Sequence, residues 1–191
     1  MADISAADVM KLRKMSGQGM MDCKAALQET GGDLDAAMEL LRKKGLATLA
    51  KRAARDTSEG RIVCAKSDDG KTTALASLCC ETDFVAKNDD FVAASEKLAR
   101  AALLCSADEG PDAVLSTEVD GQTIADLITE TVSKTGEKTE VGDFIRYTVD
   151  GTGVIASYIH FNNKIGAMIQ VETSGDAVSG AVEPVAADIC M

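Results

Sequence analysis

Histidine occurs once in this chain of 191 residues, at position 160, and aromatic residues are nearly as scarce, with four Phe and two Tyr. A single His leaves no mixed-ligand set for zinc. The six Cys, at 23, 64, 79, 80, 105 and 190, do not replace it, because they lie mostly inside apolar runs and not at metal-ligand spacing. Adjacent Cys79 and Cys80 point to opposite faces of a strand and make a poor bridge or clamp. All six read as reduced, small apolar residues of a cytosolic protein. No apolar run approaches the roughly 18 residues of a membrane span, and no basic-then-apolar leader opens the chain. The expectation is a soluble protein that stays in the cytoplasm and has no membrane contact.

Phosphate-binding loops are missing as well. No Gly-x-x-x-x-Gly-Lys occurs, so the chain should hold no nucleotide itself. Gly17-x-Gly19 and Gly151-x-Gly153 lack the third glycine and the strand-turn-helix setting of a dinucleotide fingerprint, and both read as turns. His160 with a Cys would suggest nucleophilic chemistry. It lies on an expected strand beside Tyr158, however, with no Asp or Asn placed to orient it, and reads as a surface or interface residue. The pairs Asp68-Asp69 and Asp89-Asp90 fit a turn and a helix start, and neither forms an oxygen-ligand loop closed by a Glu. No enzyme, no metal and no cofactor are expected.

Charge is abundant but uneven. Residues 1–55 hold ten Lys or Arg against seven Asp or Glu, a net +3, whereas residues 56–191 hold ten against twenty-four, a net −14. So acidic a body repels phosphate backbones and argues against direct nucleic-acid binding. The basic head could steer towards an acidic partner surface.

The first 45 residues predict three short helices. Ser5 and Asp8 form a capping box, with Ile4 and Val9 spaced as a hydrophobic staple. The Ser16-Gly17-Gln18-Gly19 loop leads into a helix with Cys23, Ala26 and Leu27 on one face. Asp33 caps a third, with Leu34, Ala37, Met38 and Leu41 at helical spacing, and Gly45 is expected to end it. Residues 46–57 then read as a basic linker. From residue 58 the pattern changes to hairpins alternating with helices, the coarse class being α+β with antiparallel sheets covered by helices. Gly110 and Pro111 break the chain, a further helix covers 124–132, and residues 144–149 read as a strand. The expected organisation is 1–45, a docking domain; 46–57, the linker; 58–150, a first core half; and 151–191, a second, incomplete one.

Within the core a scheme recurs. Residues 60–82 read as strand, turn and strand ending in Glu81-Thr82, and residues 153–173 repeat this, ending in Glu172-Thr173. The first copy continues Asp83-Phe84, the second Ser174-Gly175. An aromatic needed to complete the fold should occur in both. Phe84, at a strand-to-helix junction, therefore points to function.

Two motifs, Met15-Ser16-Gly17-Gln18-Gly19-Met20-Met21-Asp22-Cys23-Lys24-Ala25-Ala26-Leu27 and Glu81-Thr82-Asp83-Phe84-Val85-Ala86-Lys87-Asn88, closely resemble those of the elongation factor Ts family. A weaker echo lies at Lys134-Thr135-Gly136-Glu137, and the resemblance runs over about residues 5–173. It implies a guanine nucleotide exchange factor that binds the GTPase elongation factor Tu and promotes release of its GDP. Thr82, Asp83, Phe84 and Val85 would be the wedge near the partner's magnesium and phosphates. Leu12, Met20 and Met21 match the docking contact of an amino-terminal module similar to ubiquitin-associated domains. His160 matches a residue facing another domain of the same partner, although Phe161-Asn162-Asn163 is not the usual sequence beside it. Family members commonly continue beyond the second hairpin, so the chain is either a fragment or a short form, and short forms can rely on homodimers. The alternative function is an adaptor whose three-helix module recruits an unrelated protein.

Overall fold

A computed structural model describes residues 4–191. It is mixed helix and antiparallel strand. The chain divides into two units, the first running to Arg55 and including Ile128–Thr139, the second comprising Asp56–Leu127 and Glu140–Met191.

The first unit opens with α1 (Ala6–Ser16), α2 (Met20–Glu29) and α3 (Leu34–Lys51). Ser5 caps α1 by accepting from the Asp8 amide at 3.1 Å, and Gly17 closes it in the left-handed conformation that lacks a Cβ penalty. Asp33 caps α3 by accepting from the Ala36 amide. The apolar stripes meet in a small core of Val9, Leu12, Cys23, Ala26, Leu27, Ala37 and Leu41, with Ile4 packed against it as the staple spacing requires. Gly45 does not end α3, which runs on to Lys51 through the first half of the expected linker, with further turn hydrogen bonds as far as Arg55. The reason is tertiary. A Cβ at Gly45 would stand 2.7 Å from the Thr129 carbonyl oxygen and 2.9 Å from Ser133 Cβ, so this glycine lets a second helix approach closely. The Ser133 hydroxyl donates to the Leu41 carbonyl at the same crossing.

The second unit is built on β1 (Glu59–Lys66) and β2 (Thr72–Cys80), antiparallel with Glu59 opposite Cys80. Their turn is set by Gly70 at φ +70° and by Asp69 accepting from the Lys71 amide. A four-residue helix, α4 (Asp83–Ala86), follows β2, and α5 (Asp89–Leu104) then packs on both strands. Phe91, Ala94, Leu98, Ala101 and Ala102 form its buried face, at i, i+3, i+7, i+10 and i+11 of a helix. Pro111 does not merely break the chain. It opens α6 (Pro111–Leu115), where its missing N–H is harmless. β3 (Glu118–Val119) and β4 (Gln122–Thr123) make a hairpin whose central residues, Asp120 and Gly121, both have positive φ. α7 (Ile124–Thr135) starts in this unit and ends in the first. β5 (Thr139–Thr148) returns to the free edge of β2, giving the order β1-β2-β5.

The second hairpin pairs β6 (Gly153–Ile159) with β7 (Gly166–Glu172), and α8 (Asp176–Cys190) packs on it through Ala186 and Cys190. Gly166 brings the hairpin against β1, since a Cβ there would meet Ile62 Cγ2 at 2.8 Å. No disulfide joins any of the cysteines. Among the described residues, no helix is long and apolar enough to cross a membrane, and no three His, Cys, Asp or Glu side chains gather to hold a metal ion.

Because backbone stands where a Cβ at position 45 would go, Gly45→Ala is expected to destabilise the chain by roughly 1–3 kcal/mol despite Ala's better helix propensity. Urea unfolding followed by circular dichroism measures this. An unchanged or raised midpoint would mean that the helices do not pack at Gly45.

Candidate functional site

The Glu81–Asn88 motif folds as a tight turn with a cap at each end. Thr82 is extended, at φ −128° and ψ 154°, and its hydroxyl accepts from the Val85 amide while its carbonyl accepts from the Ala86 amide at 3.2 Å. Asn88 ends the turn by donating its amide to the Val85 carbonyl, and its side chain caps α5 by accepting from Asp90. Ala86 faces the core, and Val85 is half-buried. Phe84 points the other way and is 82% exposed. Burying a Phe stabilises a fold by about 1.5–3 kcal/mol, and Phe91 and Phe144 are buried here. Phe84 forgoes that gain on a rigid support, and a role in capping the local core is excluded.

Asp83 precedes it. Lys87, one helical turn on, donates to Asp83 Oδ2 at 2.7 Å. That hydrogen bond, then the Lys87 charge, and further off Lys164, hold the Asp83 carboxyl below the ordinary carboxylate range. The same pair raises Lys87. Lys164 in turn bonds Glu59 at 2.5 Å. A row of alternating charge thus joins the Asp-Phe turn to the loop between β6 and β7.

That loop carries His160, just past the end of β6 and not within a strand as expected. The His160 amide donates to Ile165, and Asn163, at φ +57°, donates back to the His160 carbonyl. Ile62 of β1 donates to the Asn163 carbonyl at 2.7 Å, which ties the loop to the sheet edge. Glu59 opens β1 opposite Cys80, and Asp83 follows three residues later, so the turn and the loop share one end of the sheet. The sequence places no Asp or Asn on the strand to orient the His160 ring, and Asn162 and Asn163 bond the Lys164 amide and the loop backbone. Tyr158 orients the ring instead, its hydroxyl sharing a 2.7 Å hydrogen bond with Nδ1. A catalytic relay would place a carboxylate there.

In the first unit the expected docking residues separate. Met20 and Met21 are exposed, Met21 by 76%, whereas Leu12 is wholly buried in the three-helix core. Leu12 therefore supports the surface from below and adds no contact area, because its position on the apolar stripe of α1 turns it inward. Met10, Met15 and above all Phe161, which is 86% exposed, are bare apolar residues outside the expected site. The signal for Phe161 was available: a rare aromatic in a hairpin turn.

Since Asp83 titrates lower than it would unfolded, the pair adds stability above the unfolded value that is lost as pH falls through the folded one. NMR titration of the Asp83 carboxyl should give a depressed midpoint, and Lys87→Met should move it upward. No movement would mean that Lys87 does not hold the carboxylate in solution.

Comparison with known proteins agrees with these motifs. The family model for elongation factor TS matches residues 81–191. Proteins named elongation factor Ts from Clostridium botulinum (strain Eklund 17B / Type B), Alkalilimnicola ehrlichii and Christiangramia forsetii are 43%, 44% and 45% identical to this chain. The alignments cover 98%, 98% and 97% of this chain but 61%, 61% and 65% of those proteins. The chain thus spans less than two thirds of the length of these relatives, and it belongs to the elongation factor Ts family.

Proposed function

We propose that this chain acts in the cytoplasm during translation elongation as a guanine nucleotide exchange factor, binding elongation factor Tu and promoting release of its GDP without itself making or breaking covalent bonds. The observation that carries this reading is the bare ring of Phe84 on a turn fixed at both ends. A rigid exposed aromatic loses little freedom on docking and can contribute about 2 kcal/mol or more once enclosed.

In this reading Thr82, Asp83, Phe84 and Val85 enter the partner near its magnesium and phosphate site. Thr82 caps the turn, half-buried Val85 backs it, and Phe84 fills an apolar recess. Asp83 brings a carboxylate towards a site already rich in phosphate charge, and anything that displaces the magnesium removes the cation that offsets those phosphates. If the wedge fits only the nucleotide-free shape, it weakens GDP by the factor by which GDP weakens it.

The three-helix unit, similar to ubiquitin-associated domains, is the docking module in this reading. Met20 and Met21 supply its contact surface, and flexible methionine side chains suit such a role. The second hairpin with α8 is a second copy of the scheme formed by the first hairpin with α5, retaining the scaffold and lacking the wedge. His160 faces the same partner from the second copy. Neither nucleic acid nor membrane is a partner.

Phe84→Ala should lower the maximal rate of GDP release by about ten- to a hundred-fold while leaving circular dichroism unchanged, since the ring makes little contact within the fold. Stopped-flow release of a fluorescent GDP from elongation factor Tu reads this directly, and equal rates for mutant and wild type would rule out the wedge.

Saturating Mg·GDP should also release the chain from a preformed complex, and replacing both Asp83 and Phe84 by Ala should shrink that effect. The ratio of dissociation constants with and without Mg·GDP measures the coupling. Identical ratios for wild type and double mutant would place the coupling elsewhere.

A further inference from the structure

Phe161 is the second exposed aromatic of the described chain and is slightly barer than Phe84. Its loop is not slack. The Asn163 amide donates to the His160 carbonyl, Asn162 accepts from the Lys164 amide at 3.0 Å, and Ile62 ties the loop to β1. The Phe161 ring lies 4.4 Å, centroid to centroid, from the His160 ring, and His160 is fixed by the Tyr158 hydroxyl. Ile165, 59% exposed, closes the same loop. An aromatic held in this way has given up its freedom before any partner arrives, so docking it is less costly than docking a mobile side chain.

We infer that Phe161 is a second aromatic anchor for the partner engaged by Phe84, and that His160 is a positioning residue acting through it; this rests on the exchange-factor reading above. Three observations support one occupant for both rings. Both lie in one compact unit, and Lys164 of the Phe161 loop bonds Glu59, which opens β1 opposite Cys80, three residues before Asp83. The Glu59–Lys164 pair and the reach of Lys164 to Asp83 make the surface between them charged and continuous. An aromatic anchor at each side of a polar strip is the composition of a protein interface, where apolar centres are ringed by polar contacts. The matching feature on the GTPase is an apolar recess the size of one ring. Phe84 sits where it alters the nucleotide site and governs the rate, whereas Phe161 holds the complex together and governs affinity.

The test is an exchange titration of the full chain against elongation factor Tu loaded with a fluorescent GDP. Phe161→Ala should raise the concentration giving half-maximal exchange by about ten-fold, with the maximal rate within about two-fold of wild type. Phe161→Tyr, which keeps the ring, should restore most of the affinity. Tyr158→Phe removes only the hydroxyl that fixes His160. It should raise the half-maximal concentration by roughly two- to five-fold alone, and add nothing in the Phe161→Ala background, a non-additivity that general loosening of the fold would not produce. If Phe161→Ala titrates as wild type while Phe84→Ala is impaired, Phe161 is no anchor and the wedge stands. If the unmodified chain leaves GDP release at its uncatalysed rate, the exchange-factor reading itself fails and this inference with it.

Discussion

The antiparallel pairing of β1 with β2 fixes where the Asp-Phe turn leaves the sheet of the second unit, because register in a strand pair is all-or-none. Alternate residues face opposite sides, so a slip by one would turn Leu78 and Cys80 out of the core and reverse the direction in which α4 leaves the sheet. Cys80 lies opposite Glu59, and the Asp-Phe turn starts three residues later. The edge left open by β1 receives the β6–β7 loop through Ile62. The same strand thus holds the β6–β7 loop, through Ile62 and through the Lys164–Glu59 bond, and pairs with the strand that leads into the Asp-Phe turn.

The exposed rings are set against a core that is otherwise economical in size. Much of it is Ala, Cys and Val, with Phe91 and Phe144 as its largest members. Small side chains let helix and sheet approach closely, and in the first unit the same device reaches its limit at Gly45, where one helix crosses another with no side chain between them. Such close packing leaves little freedom to absorb movement, which suits elements that must present a bare aromatic in a fixed direction. The caps at Thr82 and Asn88 do this for Phe84, and Tyr158 with His160 does it for Phe161.

Electrostatics add direction to this scaffold. The Lys87–Asp83 and Lys164–Glu59 pairs place alternating charge between the Asp-Phe turn and the β6–β7 loop. These pairs are exposed and contribute little to stability. Their effect is to hold ionised groups in defined places, which favours one partner surface over others.

Much of this was legible in the sequence. The caps at Ser5, Asp33 and Asn88, the helical spacing of α5 and the turns at Gly70 and Asn163 follow from local chemistry, which acts over a few residues and leaves a signature at fixed offsets. The Glu-Thr-Asp-Phe junction was legible for the same reason, and the contrast with Glu172-Thr173-Ser174-Gly175 marked its Phe as unneeded for folding. Other features were decided only by contacts distant in sequence. Gly45 has the look of a helix end but is buried against Thr129. The Phe161 loop is tied to the β1 edge through Ile62 and Asn163, a contact no local pattern announces. Local patterns report which way a side chain faces on its own element, and only the tertiary fold determines what stands opposite.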